Sequence, residues 1–408
     1  MSVQKDPINR RRFLAKTVLG FAAVSGSLTM PAALRAQGSG VKIGFLHPVT
    51  GALSYSGQQG RIGATLAVDE INATGGIKGL GRIEPLLGDA QSTPDGGTAE
   101  VEKMNVAKAS CIIGGYSSSI CLAVSQAAAR YDLPYVVDVG VADSIVTRGL
   151  KNTFRFGPGF GVISKTALDN LVTINEAAGK PARTVIIVHE DSLFGSGLAK
   201  LLNAQLPAKG FEILETIPHP TPTRDFNTVV LKIKAQNPDL VIPANYYNEY
   251  VLLARTMLEQ HVRPKGIYSV LGGAASSYKF VREFPDAAKY IMDCNHWFNP
   301  KSAKANELKK KVEDQGQFFT YELYMNYNAV HLVADALEHA ASGDRAKLIA
   351  ALANSTFVSP IMPYGPTKFV SGNNEGAAPA NTQVLDNDIK VILPAEFANA
   401  KAVFPVPT

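Results

Sequence analysis

The sequence predicts an α/β fold with two doubly wound units in its 408 residues. Short apolar runs alternate with amphipathic segments from Val41 to about Ile291, an order typical of βαβ units with parallel sheets and helices on both faces. The segment Gly157-Pro158-Gly159 interrupts this alternation, and the second run then repeats the outline of the first. Beyond Ile291 the pattern changes to three helices and a C-terminal stretch of turns and short strands.

The first run contains five predicted strands, which cover residues 41–46, 83–87, 111–114, 134–137 and 153–156. Between the first two strands, four apolar residues recur at helical spacing: Ala64, Ala67, Val68 and Ile71. Thr93-Pro94 supplies an N-cap and a proline at the first helical position, which predicts a helix that ends at about Ala109.

The second run contains four predicted strands, at residues 184–188, 212–217, 240–243 and 267–270. Helices are predicted before and between them, at residues 163–178, 196–208, 225–236 and 249–260. The three helices of the C-terminal part cover residues 302–315, 322–341 and 345–352. Because the two βα runs share one order, we expect two similar lobes.

One stretch, residues 111–119, combines a buried strand, a glycine turn and the start of a helix. It reads Cys111-Ile112-Ile113-Gly114-Gly115-Tyr116-Ser117-Ser118-Ser119. The two glycines permit a sharp turn and let a ligand approach the backbone. Free N–H groups at the N-terminus of a helix attract small anions. The stretch therefore indicates either an anion-binding turn or serines that only cap the helix.

The first 36 residues have the features of an export signal. Arg10-Arg11-Arg12-Phe13-Leu14-Ala15-Lys16 resembles a twin-arginine motif, a short apolar run follows, and we expect cleavage after Ala36 or Ala33. The alternative is a basic tail before a core helix. This segment holds six of the 40 basic and one of the 35 acidic residues, so the rest is charge-balanced. We expect a periplasmic protein with no affinity for nucleic acid.

No motif of a catalytic or cofactor site is evident in the sequence. Cys111, Cys121 and Cys294 are too few and too widely spaced for a disulfide framework or a zinc site, so we expect buried thiols. The seven histidines are scattered, and the motifs of nucleotide binding, zinc proteases and serine hydrolases are missing. We therefore expect no enzymatic activity, no metal and no cofactor.

Five motifs follow one another along residues 41–400. They are Val68-Asp69-Glu70-Ile71-Asn72-Ala73-Thr74-Gly75-Gly76-Ile77-Lys78-Gly79, the turn at 114–119, Phe194-Gly195-Ser196-Gly197, Arg224-Asp225-Phe226 and Asn245-Tyr246-Tyr247. With the export signal and the Thr50-Gly51 turn, they resemble the periplasmic solute-binding proteins of ABC transporters, in the leucine/isoleucine/valine-binding branch. The resemblance implies a type I periplasmic-binding fold with a three-segment hinge. Lobe 1 would be 41–157 plus 291–364, and lobe 2 would be 158–290 plus 365–408.

The resemblance also implies where the ligand binds. Ser118 and the backbone near Ser119 match the family's carboxylate-binding serine turn, and Gly140 to Ala142 match a loop that adds N–H donors, although a family threonine is missing there. Phe194 and Tyr246 match aromatic positions of the second lobe. Loop aromatics at strand ends commonly form cleft walls. The expected ligand-binding residues are His47, Tyr55, Tyr116, Ser118, Ser119, Gly140, Ala142, Phe194, Tyr246 and Gly272.

One departure from the family determines the expected ligand. Amino-acid binders of this family place a glutamate after the strand that here covers residues 267–270, and this chain has Leu271-Gly272-Gly273-Ala274-Ala275 instead. A buried ammonium without that partner costs about 3–5 kcal/mol. We therefore expect a small organic carboxylate without an ammonium group, either aromatic or branched and apolar. Asp293 is the acid that could still reach the cleft.

The expected role is that of a monomeric binding protein that delivers its ligand to an ABC permease and ATPase complex. Alternatives are an amino-acid, amide or urea binder, a ligand-sensing module and a periplasmic enzyme.

Overall fold

The computed structural model describes residues 40–407, so the predicted export signal at residues 1–36 lies outside the described residues. The described part contains fourteen strands and twelve α-helices. The strands are β1 (Val41–His47), β2 (Ile83–Asp89), β3 (Cys111–Gly114), β4 (Tyr135–Val137), β5 (Thr153–Arg155), β6 (Thr184–Glu190), β7 (Glu212–His219), β8 (Leu240–Ala244), β9 (Gly266–Val270), β10 (Met292–Asn295), β11 (Phe369–Val370), β12 (Asn373–Asn374), β13 (Ala380–Leu385) and β14 (Asp388–Leu393).

The helices connect these strands in the order that the sequence predicts, and their ends agree with the predicted ends to within one turn. They are α1 (Ser54–Ala73), α2 (Pro94–Val106), α3 (Ser118–Ala129), α4 (Phe160–Ala177), α5 (Leu193–Gln205), α6 (Asn227–Gln236), α7 (Tyr247–Glu259), α8 (Tyr278–Glu283), α9 (Pro285–Ala288), α10 (Ala303–Asp314), α11 (Tyr321–Ala340) and α12 (Arg345–Ala353). The two short helices α8 and α9 were not predicted.

The first sheet has the strand order β2-β1-β3-β4-β5-β12-β11. The five strands of the first βα run are mutually parallel, and β11 is antiparallel to β12 at one edge. The central strand β3 is buried throughout because helices cover both faces of the sheet. Its four residues are therefore apolar or glycine.

The second sheet has the order β7-β6-β8-β9-β10-β13-β14. Strands β6 to β10 are parallel, and β13 and β14 continue the sheet as an antiparallel pair. The two sheets with their flanking helices confirm the prediction of two doubly wound α/β lobes.

Strand pairing corrects two of the expected lobe boundaries. Residues 292–295, which were expected in lobe 1, form β10 in the second sheet. Residues 369–374, which were expected in lobe 2, form β11 and β12 at the edge of the first sheet. The chain thus passes between the sheets after β5, after β10 and between β12 and β13. The second and third passages lie later in the chain than the predicted positions near Ile291 and Gly365.

Helices α1 and α11 form a close helix pair that covers the first sheet. Gly63 of α1 permits this approach, because a Cβ atom at this position would collide with the backbone carbonyl of Leu323 in α11. A backbone atom cannot rotate away from such a contact as a side chain can.

We expect Gly63→Ala to lower the free energy of unfolding by about 1–3 kcal/mol, because overpacking outweighs the roughly 1 kcal/mol by which alanine favours a helix. Gly161→Ala is the matched control, since the added Cβ in α4 would lie 3.4 Å from Asp143 Oδ2, an ordinary contact. Urea unfolding of both variants measures the difference. A Gly63→Ala variant as stable as the Gly161→Ala variant would contradict this account of the helix pair.

Candidate functional site

A cavity lies between the two lobes at the carboxyl ends of their parallel strands, where ligands bind in open α/β sheets. It contains about 340 Å³ of space free of protein atoms, including its opening to solvent. Most of its wall is apolar or aromatic, and it is formed by Tyr116, Ser118, Val139, Val141, Phe194, Asn245, Tyr246, Leu271, Gly273, Asn295 and Tyr321.

The turn after β3 forms the lobe 1 side of this cavity. Gly114 and Gly115 have φ values of 123° and 110°, which favour glycine, and Tyr116 has a φ of 56°. The left-handed conformation of a tyrosine costs about 1–2 kcal/mol. It is stabilised by a hydrogen bond of 3.0 Å that the N–H of Tyr116 donates to Asp138 Oδ1. The strained residue therefore has a fixed direction toward the cavity.

The serines after this turn do more than cap α3. Ser117 is the N-cap, but its side chain makes no capping hydrogen bond, and its hydroxyl lies 3.1 Å from the hydroxyl of Tyr246 in lobe 2. The Ser118 hydroxyl accepts a hydrogen bond of 3.2 Å from the N–H of Ala142. Since the oxygen accepts this bond, the hydroxyl hydrogen of Ser118 can be donated to a ligand beside the positive end of α3.

A buried network lies behind the turn and accounts for His47. Asn326 of α11 donates a hydrogen bond of 2.9 Å to Asp138 Oδ2, and its carbonyl oxygen lies 2.9 Å from His47 Nε2. His47 is the last residue of β1, is fully buried and does not belong to the cavity wall, so the structure does not bring it together with the other expected ligand-binding residues. Burial lowers the pKa of His47, and the carboxylate of Asp138 opposes this effect.

Arg155, in β5, supports the loop on which Ala142 lies. Its guanidinium donates hydrogen bonds to the carbonyls of Val141 and Ala142 at 2.8 and 2.9 Å, and to the side chains of Asp143 and Asn373 at 3.0 and 2.7 Å. Because Asn373 belongs to β12, the same group links the loop to the edge of the first sheet. Loss of Arg155 would leave several buried acceptors without a donor.

Three aromatic rings from both lobes form one continuous wall. The ring centroids of Tyr116 and Tyr246 are 5.8 Å apart, and those of Phe194 and Tyr246 are 5.2 Å apart. Tyr116 also contacts Tyr321, with 3.3 Å between the two hydroxyl oxygens. Such tilted aromatic contacts contribute about 0.5–1.5 kcal/mol per pair beyond buried area.

Asp293 is buried behind the lobe 2 side and does not line the cavity. Its carboxylate accepts hydrogen bonds from the N–H of Gly272 at 3.0 Å, the hydroxyl of Ser276 at 2.5 Å and the side chain of Asn295 at 3.1 Å. Burial raises the pKa of Asp293 to about 6, although these three donors act in the opposite direction. The alternative in which Asp293 reaches the ligand is therefore not supported, and none of the aspartates and glutamates between residues 40 and 407 lines the cavity.

The structure brings four of the ten expected site residues together in the cavity wall: Tyr116, Ser118, Phe194 and Tyr246. Besides His47, five do not line it: Tyr55, Ser119, Gly140, Ala142 and Gly272.

Three of these five residues make other contacts in the structure. The Gly140 backbone packs against α3, where an added Cβ would lie 2.6 Å from Cys121 Sγ. The N–H of Gly272 points to Asp293, and the next residue, Gly273, lines the cavity instead. The ring of Tyr55 packs on Tyr247 with 4.4 Å between centroids.

Seven wall residues were not predicted: Val139, Val141, Asn245, Leu271, Gly273, Asn295 and Tyr321. Several lie within one or two residues of the expected positions. Asn295 is the last residue of β10, a strand that was not predicted from the sequence. The hydroxyl of Tyr321 contacts that of Tyr116, and the two residues are 205 positions apart in the sequence. No local sequence pattern could indicate this contact.

The described residues were also inspected for free thiols, metal-binding groups and membrane-spanning helices. The three thiols are buried and unpaired as predicted, and burial raises their pKa values. Between residues 40 and 407, no group of histidine, cysteine and acidic side chains is arranged to bind a metal ion. None of the helices in this range has the apolar length that a lipid bilayer requires.

The chain matches the profile of a known protein family, and many solved structures share its fold. The profile of the family described as "Periplasmic binding protein" matches residues 40–388. The Leu/Ile/Val-binding protein homolog 8 of Brucella suis biovar 1 (strain 1330) is 32% identical over 266 residues, which are 64% of this chain. The match spans 64% of the length of that relative.

Two solved structures illustrate the shared fold. The branched-chain amino acid transporter substrate-binding protein LivJ from Streptococcus pneumoniae, in complex with isoleucine, has a TM-score of 0.73 at 22% identity. The alignment covers 87% of this chain and 100% of that one. An ABC transporter solute-binding protein from R. palustris, in complex with benzoate, has a TM-score of 0.74 at 20% identity, and the alignment covers 89% of this chain and 97% of that one.

The buried carboxyl of Asp293 predicts a pH dependence of stability. Its pKa is raised in the native state from 3.8 to about 6, so the native state binds more protons than the unfolded state between these values. The free energy of unfolding should therefore fall as the pH rises through this interval, by an amount on the order of 2–4 kcal/mol from this group.

Asp293→Asn isolates the effect, because the contributions of other titrating groups cancel in the difference between the two proteins. Urea unfolding from about pH 4 to about pH 7 should show wild-type stability falling relative to the variant. A difference that is constant or rises with pH would contradict the raised pKa.

Proposed function

The chain belongs to the periplasmic binding protein family, and we propose that it captures a small organic carboxylate between its two lobes for an ABC importer. The ligand is an aromatic or branched apolar acid without an ammonium group. One observation carries the proposal: among residues 40–407, the cavity wall combines the serine turn at the start of α3 with aromatic rings and contains no acidic side chain.

The anion-binding side consists of Ser118 and the start of α3. A helix N-terminus presents unpaired N–H groups and positive potential, and a serine hydroxyl adds a directed donor. The guanidinium of Arg155 lies behind the neighbouring loop, where it contacts the carbonyls of Val141 and Ala142. These contacts of Arg155 fix the loop that contains Ala142. The N–H of Ala142 in turn positions the Ser118 hydroxyl.

Among residues 40–407, no aspartate or glutamate belongs to the cavity wall, so an ammonium group would meet no carboxylate there. Two carboxylates behind the wall are hydrogen bonded to the turns in front of them, Asp138 to the Tyr116 N–H and Asp293 to the Gly272 N–H. Glu190 accepts hydrogen bonds from the N–H and hydroxyl of Ser192 at 2.7 and 2.8 Å. An uncompensated buried charge costs about 3–5 kcal/mol, which is more than one aromatic contact returns.

The aromatic wall favours a flat acid. The rings of Tyr116, Phe194 and Tyr246 lie next to one another and suit the packing of an aromatic ring. Gly273 lets its turn pack against the backbone of residues 245–247, because an added Cβ atom would lie 2.7 Å from the backbone nitrogen of Tyr247.

A branched-chain amino acid is the second candidate, because the relative at 32% identity is named for leucine, isoleucine and valine. Proteins of the same fold have been crystallised with isoleucine and with benzoate, so the fold is compatible with both ligand classes. The residues of the cavity wall favour the acid.

A thermal-shift panel tests the choice between the two classes. We expect benzoate, phenylpropanoid acids and branched aliphatic acids to raise the Tm, since a ligand at about 100 times its Kd adds roughly 2.7 kcal/mol of stability. Leucine, valine and phenylalanine should have little effect. Stabilisation by the amino acids and by none of the acids would overturn the proposal in favour of the second candidate.

The role of Ser118 is tested by Ser118→Ala, which removes a hydrogen bond to a charged group worth about 1.5–3 kcal/mol. Calorimetry with the strongest acid of the panel should show a loss of affinity of about tenfold or more. Ser119→Ala is the matched control, because Ser119 lies in the first turn of the same helix but does not line the cavity. Equal affinities for the two variants would contradict the assignment of the carboxylate to Ser118.

A further inference from the structure

A second cavity lies in lobe 2, away from the cavity between the lobes. It contains about 2070 Å³ of space free of protein atoms, including its opening to solvent, against about 340 Å³ for the cavity between the lobes. Its wall comes mainly from the second half of α7, the loop before β9, helix α9, the residues before β10 and residues 405–407. We call this cavity the lobe 2 groove.

The lobe 2 groove and the cavity between the lobes lie at opposite ends of the same two strands. β9 begins beside Lys265 of the groove, and Leu271, the residue after its end, lines the cavity between the lobes. Ile291 of the groove directly precedes β10, whose last residue, Asn295, lines the cavity between the lobes. Every wall residue of the groove belongs to lobe 2, so occupation of the groove does not require contact between the lobes.

The inner wall of the lobe 2 groove is apolar. Six side chains form most of it: Met257, Leu258, Ile267, Ala287, Ile291 and Val406. Three of them (Met257, Ala287 and Ile291) are buried, and the other three are half-buried. An apolar surface of this kind with charged residues around it is typical of a ligand groove or an interaction site. An occupant that removes this surface from water must itself be apolar over much of its length.

The C-terminal segment is a fixed part of the wall. The N–H of Val406 donates a hydrogen bond of 2.8 Å to the carbonyl of Lys265. The ring of Phe404 packs beside β9 at Gly266, where an added Cβ atom would lie 2.9 Å from Phe404 Cε2. The groove is therefore a concave space between helices and an anchored segment of chain. Such a concave shape suits a narrow ligand better than the face of a folded protein.

The charged side chains of the wall favour an anion. Arg263, Lys265 and Lys289 are positive, and Asp286 is the acidic residue among the described residues of the wall. Lys265 forms an ion pair with Asp239, with 2.6 Å between Nζ and Oδ1. Among residues 40–407, Arg263 and Lys289 have no carboxylate within ion-pair distance. Even without Lys265, two cations outnumber one acid, so the wall attracts negative charge.

We propose that the lobe 2 groove binds a long-chain carboxylate, with the alkyl chain against the apolar wall and the carboxylate at Arg263. A guanidinium can form two parallel hydrogen bonds to a carboxylate, and Lys289 adds positive charge to the same wall. A short acid would leave most of the apolar wall in water, and a cationic amphiphile would be repelled by the unpaired cations. The site is separate from the cavity between the lobes and does not rest on the function proposed for that cavity.

Titration calorimetry with the wild-type protein tests the ligand class, with each amphiphile below the concentration at which it forms micelles. Dodecanoate should bind about tenfold or more tightly than hexanoate, because each additional buried methylene strengthens binding. It should also bind about tenfold or more tightly than dodecyltrimethylammonium, which has the same chain length and the opposite charge.

Two pairs of variants test the position of the site. Leu258→Glu introduces a negative charge into the apolar wall and should weaken dodecanoate binding about tenfold or more. Leu231→Glu is the matched control, because Leu231 lies in α6 of the same lobe, is 57% exposed and does not line the groove. Arg263→Gln removes an exposed cation without changing the core and should weaken binding about threefold or more. Lys200→Gln, an exposed position of α5 outside the groove, should keep the wild-type affinity.

Several outcomes would overturn the proposal. They include equal affinity for dodecanoate and hexanoate, tighter binding of dodecyltrimethylammonium, and equal dodecanoate affinities in Leu258→Glu and Leu231→Glu or in Arg263→Gln and Lys200→Gln. Binding to vesicles of an anionic phospholipid, without binding of monomeric dodecanoate, would assign the groove to a membrane surface instead. A dimer in sedimentation velocity that Leu258→Glu dissociates, again without dodecanoate binding, would assign the groove to a second copy of the chain.

Discussion

The hydrogen bond between the N–H of Tyr116 and the buried carboxylate of Asp138 is the interaction on which the site depends. It fixes a tyrosine in a backbone conformation that only glycine adopts freely, and so aims the β3 turn at the cavity. The second oxygen of Asp138 accepts from Asn326, which in turn contacts His47. One carboxylate thereby connects the ends of three regions that are far apart in sequence. A buried carboxylate is stable only with such donors, so its network and the shape of the turn depend on each other.

Lobe 2 uses the same arrangement with different residues. Leu271 follows β9 with a φ of 56°, and the next N–H, that of Gly272, is donated to Asp293 in the neighbouring strand. In both lobes, then, a buried aspartate accepts the backbone N–H of the adjacent strand–helix turn, and a left-handed residue of that turn lines the cavity. Because each aspartate is occupied behind its turn, neither is available as a counter-ion for a ligand. Neither aspartate therefore adds a charge to the cavity wall, which supports the proposal of an anionic ligand over a zwitterion.

Local sequence patterns were sufficient to predict most of the helices and strands. They did not predict the strands whose formation depends on residues that are distant in the sequence. Apolar runs such as 111–113 and capped helices such as α2 are determined by neighbouring residues, so their positions were predictable. Strand β10 contains Asp293 and Asn295, whose burial depends on partners supplied by the rest of the fold, and its sequence therefore does not resemble a buried strand. The two-residue strands β11 and β12 are too short to give a pattern. For the site, the sequence indicated which loops lie at strand ends but not the direction of each side chain, and so His47 and Gly272 were placed in the cavity although their polar groups face the protein interior.

Contacts between the two lobes connect ligand binding to lobe closure. In the arrangement described here, Ser117 contacts Tyr246 and the ring of Tyr55 contacts Tyr247, so the two lobes meet around the cavity. A ligand that touches both lobes in this cavity gains its full set of contacts only when the lobes are together. To convert a 1:99 equilibrium between two states into 99:1, a ligand must bind the favoured state more tightly by roughly 5.5 kcal/mol. The difference in affinity between the two lobe arrangements is therefore the free energy with which a ligand favours closure.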